Sequence, residues 1–141
     1  MTSKNIRVII DTNVWISFLI GKKLSQLVNY ILDDNITIIT TDQLLEEIKI
    51  VTQRKKLKKY FSKKSVKEFL ELLEALAENV DIKSTHFIDR DPKDNFLLDL
   101  IEYSKADYLI TGDNDLLEHN PFKTAQILRV SKFENYLKEE R

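Results

Sequence analysis

The sequence predicts an α/β protein, a three-layer α/β/α sandwich with a central, mainly parallel sheet, formed by a single domain over residues 1–141. Short apolar runs rich in β-branched residues alternate with longer stretches whose apolar residues recur at helical spacing. Strands that are separated by helices pair in parallel through right-handed crossovers. A chain of 141 residues, of which 43% are hydrophobic, also has the size and composition of one globular domain.

The first half of the chain follows this alternation. Residues 6–11 and Ile36–Thr40 are apolar runs rich in isoleucine, and they predict the first two strands. Helical spacing between them predicts a helix through residues 15–19 and another over 24–32. Asp42 is expected to cap the next helix. The buried face of that helix carries Leu44, Leu45, Ile48 and Val51.

The second half continues in the same way. Residues 62–79 have a strong amphipathic pattern and predict a long helix. Asp91-Pro92 predicts the start of a helix that reaches about residue 105, because proline suits the first helical position. The other predicted elements are strands at 80–83, 107–111 and 125–130, a short helix near 116–117, and a terminal helix over 132–139.

Composition excludes several kinds of site. The chain has no cysteine and only two histidines, so disulfides, thiolate chemistry and a histidine-rich metal centre are not expected. Any metal would be bound by oxygen, which indicates magnesium, manganese or calcium. With 22 basic and 23 acidic residues, net charge predicts no polyanionic partner. No signal-peptide pattern or membrane-length apolar run is present, so we expect a cytoplasmic protein.

Acidic residues follow two of the predicted strands. Asp11 ends the first strand, and Asp113 follows the strand at 107–111. The carboxyl ends of parallel strands meet at one edge of a sheet, where such folds bind their ligands. Glu47 borders the buried face of the helix after the second strand, and Asp94 lies in the first turn of the helix that Pro92 begins. Carboxylates gathered in this way repel one another, and a bound cation would offset that repulsion.

Each of these acids also has a simpler interpretation. Asp11 and Asp113 could cap the helices that follow them, Asp94 could stabilise a helix dipole, and Glu46 and Glu47 could be a solvated pair. Three independent strand-to-helix junctions nevertheless each supply a carboxylate. Their agreement favours an acidic metal site without excluding the simpler interpretation.

Small polar residues support the metal site. Asn13 and Thr111 can hydrogen-bond a carboxylate or a metal-bound water. Gly112, one of only two glycines, is expected to let the backbone turn sharply before Asp113, although Thr-Gly-Asp is also an ordinary turn sequence.

Four ordered motifs over nearly the whole chain resemble PIN-domain proteins. They are Asp11-Thr12-Asn13, Leu44-Leu45-Glu46-Glu47-Ile48, Asp91-Pro92-Lys93-Asp94, and the run from Ala106 to Leu117 that contains Thr111-Gly112-Asp113-Asn114-Asp115. The resemblance is to the bacterial and archaeal branch that includes toxin components of toxin–antitoxin systems, kin to VapC-type toxins.

The resemblance implies that Asp11, Glu47, Asp94 and Asp113 are catalytic, metal-binding acids, with Asp115 as a further ligand. The choice between Glu46 and Glu47 rests on helix register, which favours Glu47. The implied cofactor is Mg²⁺ or Mn²⁺. The implied partners are an RNA substrate, a small antitoxin protein and a second copy of the chain in a dimer.

These observations together predict a metal-dependent endoribonuclease that hydrolyses single-stranded RNA. A catalytically silent RNA-binding or scaffold protein on the same fold is the alternative. A metal-dependent phosphatase is a weaker one, because Asn13 stands where such enzymes use a second aspartate.

A basic segment at residues 54–64 holds seven basic residues and no acid. Such clusters contact phosphates, and a neighbouring aromatic ring can stack on a base. The candidate RNA-binding residues are Lys55, Lys56, Lys58 and Lys59, with Tyr60 or Phe61 as the stacking ring. The alternative is a solvated helix junction in which Leu57, Tyr60 and Phe61 pack inward.

Overall fold

The computed structural model describes residues 5–21, 36–82 and 92–140, together with residues 26 and 29. Five strands form one sheet in the order β3-β2-β1-β4-β5, and each neighbouring pair is parallel. The strands are β1 (Ile6–Ile10), β2 (Ile36–Thr40), β3 (Glu78–Asn79), β4 (Tyr108–Ile110) and β5 (Gln126–Leu128). The helices in the described ranges are α1 (Thr12–Ile20), α2 (Asp42–Thr52), α3 (Lys63–Leu76), α4 (Pro92–Ser104), α5 (Asn114–Leu117) and α6 (Val130–Glu140), and a 3₁₀ turn covers Lys58–Tyr60. The predicted α/β fold is confirmed.

Burial along β1 shows that the sheet is covered on both faces. Val8, Ile9 and Ile10 are consecutive, and none is more than 1% exposed. Successive side chains of a strand point to opposite faces, so burial of all three requires packing on each side. The apolar runs that predict strands are therefore the centre of the core.

The edge strand β3 differs from its prediction. The sequence predicts a strand at residues 80–83, but the pairing residues are Glu78 and Asn79, which lie beside Ile39 and Thr40. The Val80 N–H then donates to the Thr40 carbonyl oxygen at 2.8 Å. Glu78 and Asn79 have little intrinsic strand preference. Their position is set by the open edge of β2, which the apolar pattern does not reveal.

Two helix starts differ in how they are capped, since Ser62 caps through its side chain and Thr41 does not. Thr41, not Asp42, is the N-cap of α2: its backbone is extended, and Asp42 is already the first helical residue. Ser62 caps α3 because its Oγ accepts the Ser65 N–H at 3.0 Å.

The α3 helix ends at residue 76, three residues before the predicted end. The predicted start of the first helix, at residue 15, lies three residues after the observed start of α1, and, apart from β3, the other predicted ends lie within two residues of those observed. The helix predicted at 24–32 falls outside the described residues except for 26 and 29.

Candidate active site at the carboxyl edge of the sheet

Asp11 and Thr111 lie side by side where β1 and β4 end. The two strands are paired through Ile10 and Ile110, and the Asp11 N–H donates to the Ile110 carbonyl oxygen at 3.0 Å. The residues that follow the two strands therefore lie at the same edge of the sheet, which we call the carboxyl edge. The sequence predicts that the first strand and the strand at 107–111 end at the same edge of the sheet, and the structure places both ends here.

The Asp11 side chain is buried and bonded to its neighbour. Only 8% of the residue is exposed, and its Oδ2 accepts a hydrogen bond from Thr111 Oγ1 at 2.7 Å. Thr111 is itself fully buried. A bond of this length to a carboxylate is charge-assisted and holds the acid in one orientation. Thr111 is therefore bonded directly to one of the predicted site acids.

Burial raises the pKa of Asp11 above its ordinary value, because a charged carboxylate loses hydration in this environment. Hydrogen bonds from the Thr111 side chain and the Thr12 backbone oppose that shift by stabilising the charge. The negative charges of Glu47 and Asp113 raise the pKa of Asp11 further. Both predicted acids are therefore close enough to Asp11 for their charges to act on it.

Asp113 caps a helix, which is one of the two roles considered for it. As the N-cap of α5, its Oδ1 accepts the Asp115 N–H at 2.9 Å. Its own N–H donates to Thr111 Oγ1 at 3.1 Å, so Thr111 bridges Asp113 and Asp11. Asp115 is exposed in the first turn of α5. Capping engages Oδ1 of Asp113, and no described residue bonds its Oδ2, which could therefore bind a metal ion.

Gly112 does not need its conformational freedom, contrary to the expectation from the sequence. No glycine in the described part of the chain has a positive φ. A Cβ atom placed on Gly112 would lie 4.0 Å from Arg129 Nη1, an ordinary contact distance. The turn before Asp113 is therefore compatible with other residues.

The two neighbouring glutamates of α2 differ in environment. Glu47 is half-buried and lies between Leu44 and Ile48, which are both fully buried. Glu46 is exposed. Of these two glutamates, only Glu47 carries a charge that contributes to the raised pKa of Asp11. This difference agrees with the helix register that favours Glu47.

Asp94 lies in the first turn of α4, as predicted, but its side chain is outside the described part of the structure. Asn13 is exposed on the first turn of α1.

Among the side chains that are described, no three acidic or histidine groups are close enough to hold a metal ion. The donor set nevertheless fits Mg²⁺ or Mn²⁺ chemically, since Asp11, Glu47 and Asp113 offer only oxygen and their mutual repulsion would be relieved by a cation.

The sequence analysis missed Arg129, which directly follows β5. Its Nη1 donates to the Gly112 carbonyl oxygen at 3.4 Å, and its Nη2 donates to Asn114 Oδ1. The available signal was a basic residue directly after the apolar pair Ile127 and Leu128, the same position that Asp11 occupies after its own strand.

The basic segment lies away from the acids. It follows the carboxyl end of α2, a helix that begins at the carboxyl edge and is about 15 Å long. Phe61 is buried against Ile16, Val51 and Val66, which anchors the segment. Lys55, Lys56, Lys58 and Lys59 are all exposed.

Tyr60 contradicts the interpretation in which all the apolar residues of this segment pack inward. It is 53% exposed, and Lys59 Nζ lies 5.1 Å from its ring centroid. Leu57 is partly buried. The segment is therefore anchored by Phe61 and still presents an aromatic ring beside several cations.

A parallel five-stranded sheet with acids at its carboxyl edge defines the chain as an α/β protein. Residues 7–115 match the family model of the PIN domain. The chain is also 30% identical over 120 residues to the uncharacterized protein MJ1680 of Methanocaldococcus jannaschii, covering 83% of this chain and 77% of that protein. The chain therefore belongs to the PIN-domain family. PIN domains are generally nucleases and typically use divalent metal ions.

A solved structure shows the same fold. The crystal structure of PAE2754 from Pyrobaculum aerophilum superimposes with a TM-score of 0.63 and covers 99% of each chain at 13% sequence identity. At that identity the likeness concerns the fold alone. No helix in the described ranges is long and apolar enough to cross a membrane.

Proposed function

We propose that this protein is a metal-dependent endoribonuclease that hydrolyses phosphodiester bonds of single-stranded RNA. The observation that carries the proposal is the buried Asp11 carboxylate, held by Thr111 and acted on by the charges of Glu47 and Asp113. A fold does not by itself need a buried acid surrounded by other acids. Such an arrangement costs stability unless it serves a bound cation.

The metal ligands in this proposal are Asp11, Glu47, Asp94 and Asp113, with Asp115 as an additional ligand. A bound Mg²⁺ or Mn²⁺ would activate the attacking water and neutralise charge on the phosphodiester. Asp11 would present an oxygen to the ion while its Oδ2 accepts the hydrogen bond from Thr111. Asp113 would do the same while its Oδ1 accepts the Asp115 N–H.

The direct test is cleavage of single-stranded RNA by the purified protein in the presence of Mg²⁺ or Mn²⁺. An Asp94→Asn variant removes one proposed ligand while retaining nearly the same size. We expect cleavage by the wild type, strong loss in the variant, and complete inhibition by a chelator. Equal cleavage by both proteins would assign the activity to a contaminant or to another centre.

The basic segment is proposed to contact the RNA backbone at a distance from the cut. Its exposed lysines carry the charge, and the exposed Tyr60 offers a stacking face. Reversing the charge of Lys58 and Lys59 to glutamate should reduce the salt dependence of RNA binding, since each phosphate contact adds about 0.7 to the slope for a single strand. An unchanged slope would contradict this role.

We also propose that the protein is the toxin of a toxin–antitoxin pair, with a small antitoxin partner, and that it forms a homodimer. The support is the resemblance of its four motifs to that branch of the family. Induced expression in bacteria should arrest growth, and an Asp11→Asn variant should not. Light scattering of the purified protein would test the dimer, and a monomeric mass at high concentration would contradict it.

A catalytically silent RNA-binding protein is the second candidate. It is favoured by the spacing of the described acids, no three of which approach closely enough to hold a metal. Metal titration separates the two functions, because a ligand that binds only the folded state raises its stability. Unaltered thermal stability in Mg²⁺ and in Mn²⁺, together with RNA binding, would support the silent protein.

A further inference from the structure

Arg129 differs in charge from the other residues that directly follow the strands. In the described part of the chain these residues are Asp11, Thr41, Val80, Thr111 and Arg129. Arg129 is the only cation among them. Since all five strands are parallel, it stands at the same carboxyl edge as Asp11.

Contacts hold the Arg129 side chain beside residues 111–115, which carry Asp113 and which we call the acidic loop. The strand pairing of β4 with β5 places Leu128 next to Ile110, and the Thr111 N–H donates to the Leu128 carbonyl oxygen at 2.9 Å. From there the guanidinium reaches Gly112 and Asn114, the two neighbours of Asp113 in sequence. It is therefore oriented toward the loop that carries Asp113.

No described acid forms an ion pair that would compensate the charge of this guanidinium. Its two partners, the Gly112 carbonyl and the Asn114 amide oxygen, are neutral. Within the described residues no acid forms an ion pair with it, whereas Arg7 is paired with Glu78 through both terminal nitrogens. A guanidinium has five N–H donors, and neutral acceptors engage two of them here.

An oriented, exposed guanidinium with free donors matches a phosphate group. The planar fork of arginine binds two oxygens of a phosphate at once, which a lysine cannot do. Arg129 follows a strand two positions away from β1, so its backbone is about 10 Å from that of Asp11. Its contacts with Gly112 and Asn114 place the guanidinium beside the loop that carries Asp113, one of the proposed metal ligands.

We propose that Arg129 binds a phosphate group of the RNA strand next to the acidic site. This inference rests on the proposed function, because it takes RNA as the ligand. Arg129 would counter the repulsion between the acidic loop and the RNA backbone at the position where the acids alone would oppose binding. Asn114 would keep the guanidinium in place.

The test is the salt dependence of binding to a fluorescein-labelled single-stranded RNA, measured by anisotropy in Mg²⁺. Denaturing gels of the same mixtures report cleavage separately. The main variant is Arg129→Gln, whose amide can still bond the loop but carries no charge. The matched control is Lys105→Gln, which removes one exposed charge before β4, at the opposite end of the strands.

We expect Arg129→Gln to weaken binding about tenfold at low salt and to lower the slope of log affinity against log salt by about 0.7. The control should leave the slope unchanged. Arg129→Lys should restore the slope but only part of the affinity. An Asn114→Ala variant should retain the wild-type slope, because the charge is still present.

Three outcomes would overturn the inference: an unchanged slope in Arg129→Gln, an equal change in the control, or an equal change in Asn114→Ala. The last would assign Arg129 a structural role in the loop. RNA cleavage with an unchanged Arg129→Gln slope would leave the nuclease proposal standing and remove this one. A reduced slope without any cleavage by the wild type would do the reverse, and absence of RNA binding by the wild type would overturn both.

Discussion

Replacing Thr111 with valine tests the centre of the candidate site without changing its shape. Valine has nearly the same volume, so no cavity is created in this fully buried position. The substitution removes the hydroxyl that donates to Asp11 Oδ2 at 2.7 Å and accepts the Asp113 N–H at 3.1 Å. Both groups lose a partner at once.

The expected loss of stability follows from these two bonds. A hydrogen bond to a charged group contributes about 1.5–3 kcal/mol, and leaving the partly buried Asp113 N–H unpaired costs about 1 kcal/mol more. We therefore expect the metal-free Thr111→Val protein to be less stable by about 2.5–4 kcal/mol at pH values where Asp11 is ionised. Urea unfolding followed by circular dichroism would measure this difference.

The pH dependence identifies the carboxylate as the cause. Burial already raises the pKa of Asp11 in the folded protein, and the Thr111 hydrogen bond opposes that rise. The pKa of Asp11 is therefore expected to be higher still in Thr111→Val. A raised folded-state pKa means that the folded protein binds more protons than the unfolded chain, so the variant recovers part of its lost stability as the pH falls through that value.

Thr40→Val is the matched control, since Thr40 is buried at the end of neighbouring strand β2 and its hydroxyl has no hydrogen-bond partner among the described residues. We expect its stability to change by less than about 1 kcal/mol and to show no added pH dependence. Equal losses in the two variants, or a Thr111→Val loss that stays constant between about pH 8 and about pH 4, would refute the proposed action of Thr111 on the Asp11 charge.

Three further outcomes are expected. Saturating Mg²⁺ should raise the melting temperature of the wild type by roughly 5–10 °C, and Asp11→Asn should abolish that shift. In EDTA the Asp11→Asn protein should be the more stable of the two, because it has no buried charge at this position. Equal shifts in both proteins would argue against the metal site. Phe61→Ala should cost about 3–4 kcal/mol in urea unfolding, whereas Tyr60→Ala, at an exposed position, should change stability little; similar losses would contradict the anchoring of the basic segment. Ser62→Ala should cost about 1 kcal/mol through loss of the α3 cap, and a change within error would mean that the cap contributes nothing.

The acids of the candidate site could be located from sequence because their signals are local. An apolar run that ends in Asp11 indicates a strand and its end together. The same holds for the run before Asp113, and Pro92 indicates the helix start that carries Asp94. Glu47 follows from helical spacing relative to Leu44 and Ile48. Each inference uses residues within one turn or one strand of the acid.

The edge strand and the start of α2 could not be predicted from sequence in the same way. Edge strand β3 forms at Glu78 because Arg7 pairs with it and because the β2 backbone offers partners. The Thr41 cap depends on one backbone conformation at the end of β2. Neither effect leaves a periodic pattern in the sequence, and local propensity favours different boundaries.

Local patterns in the sequence were enough to predict an α/β fold, its buried strands and the acids that follow two of them. The hydrogen bond from Thr111 to Asp11 joins residues 100 positions apart, and the contact of Arg129 joins the end of β5 to the loop around Asp113. Neither contact could be predicted from local patterns. Hydrophobic periodicity and capping are properties of neighbouring residues, whereas strand order and hydrogen bonds between distant residues depend on how the whole sheet assembles.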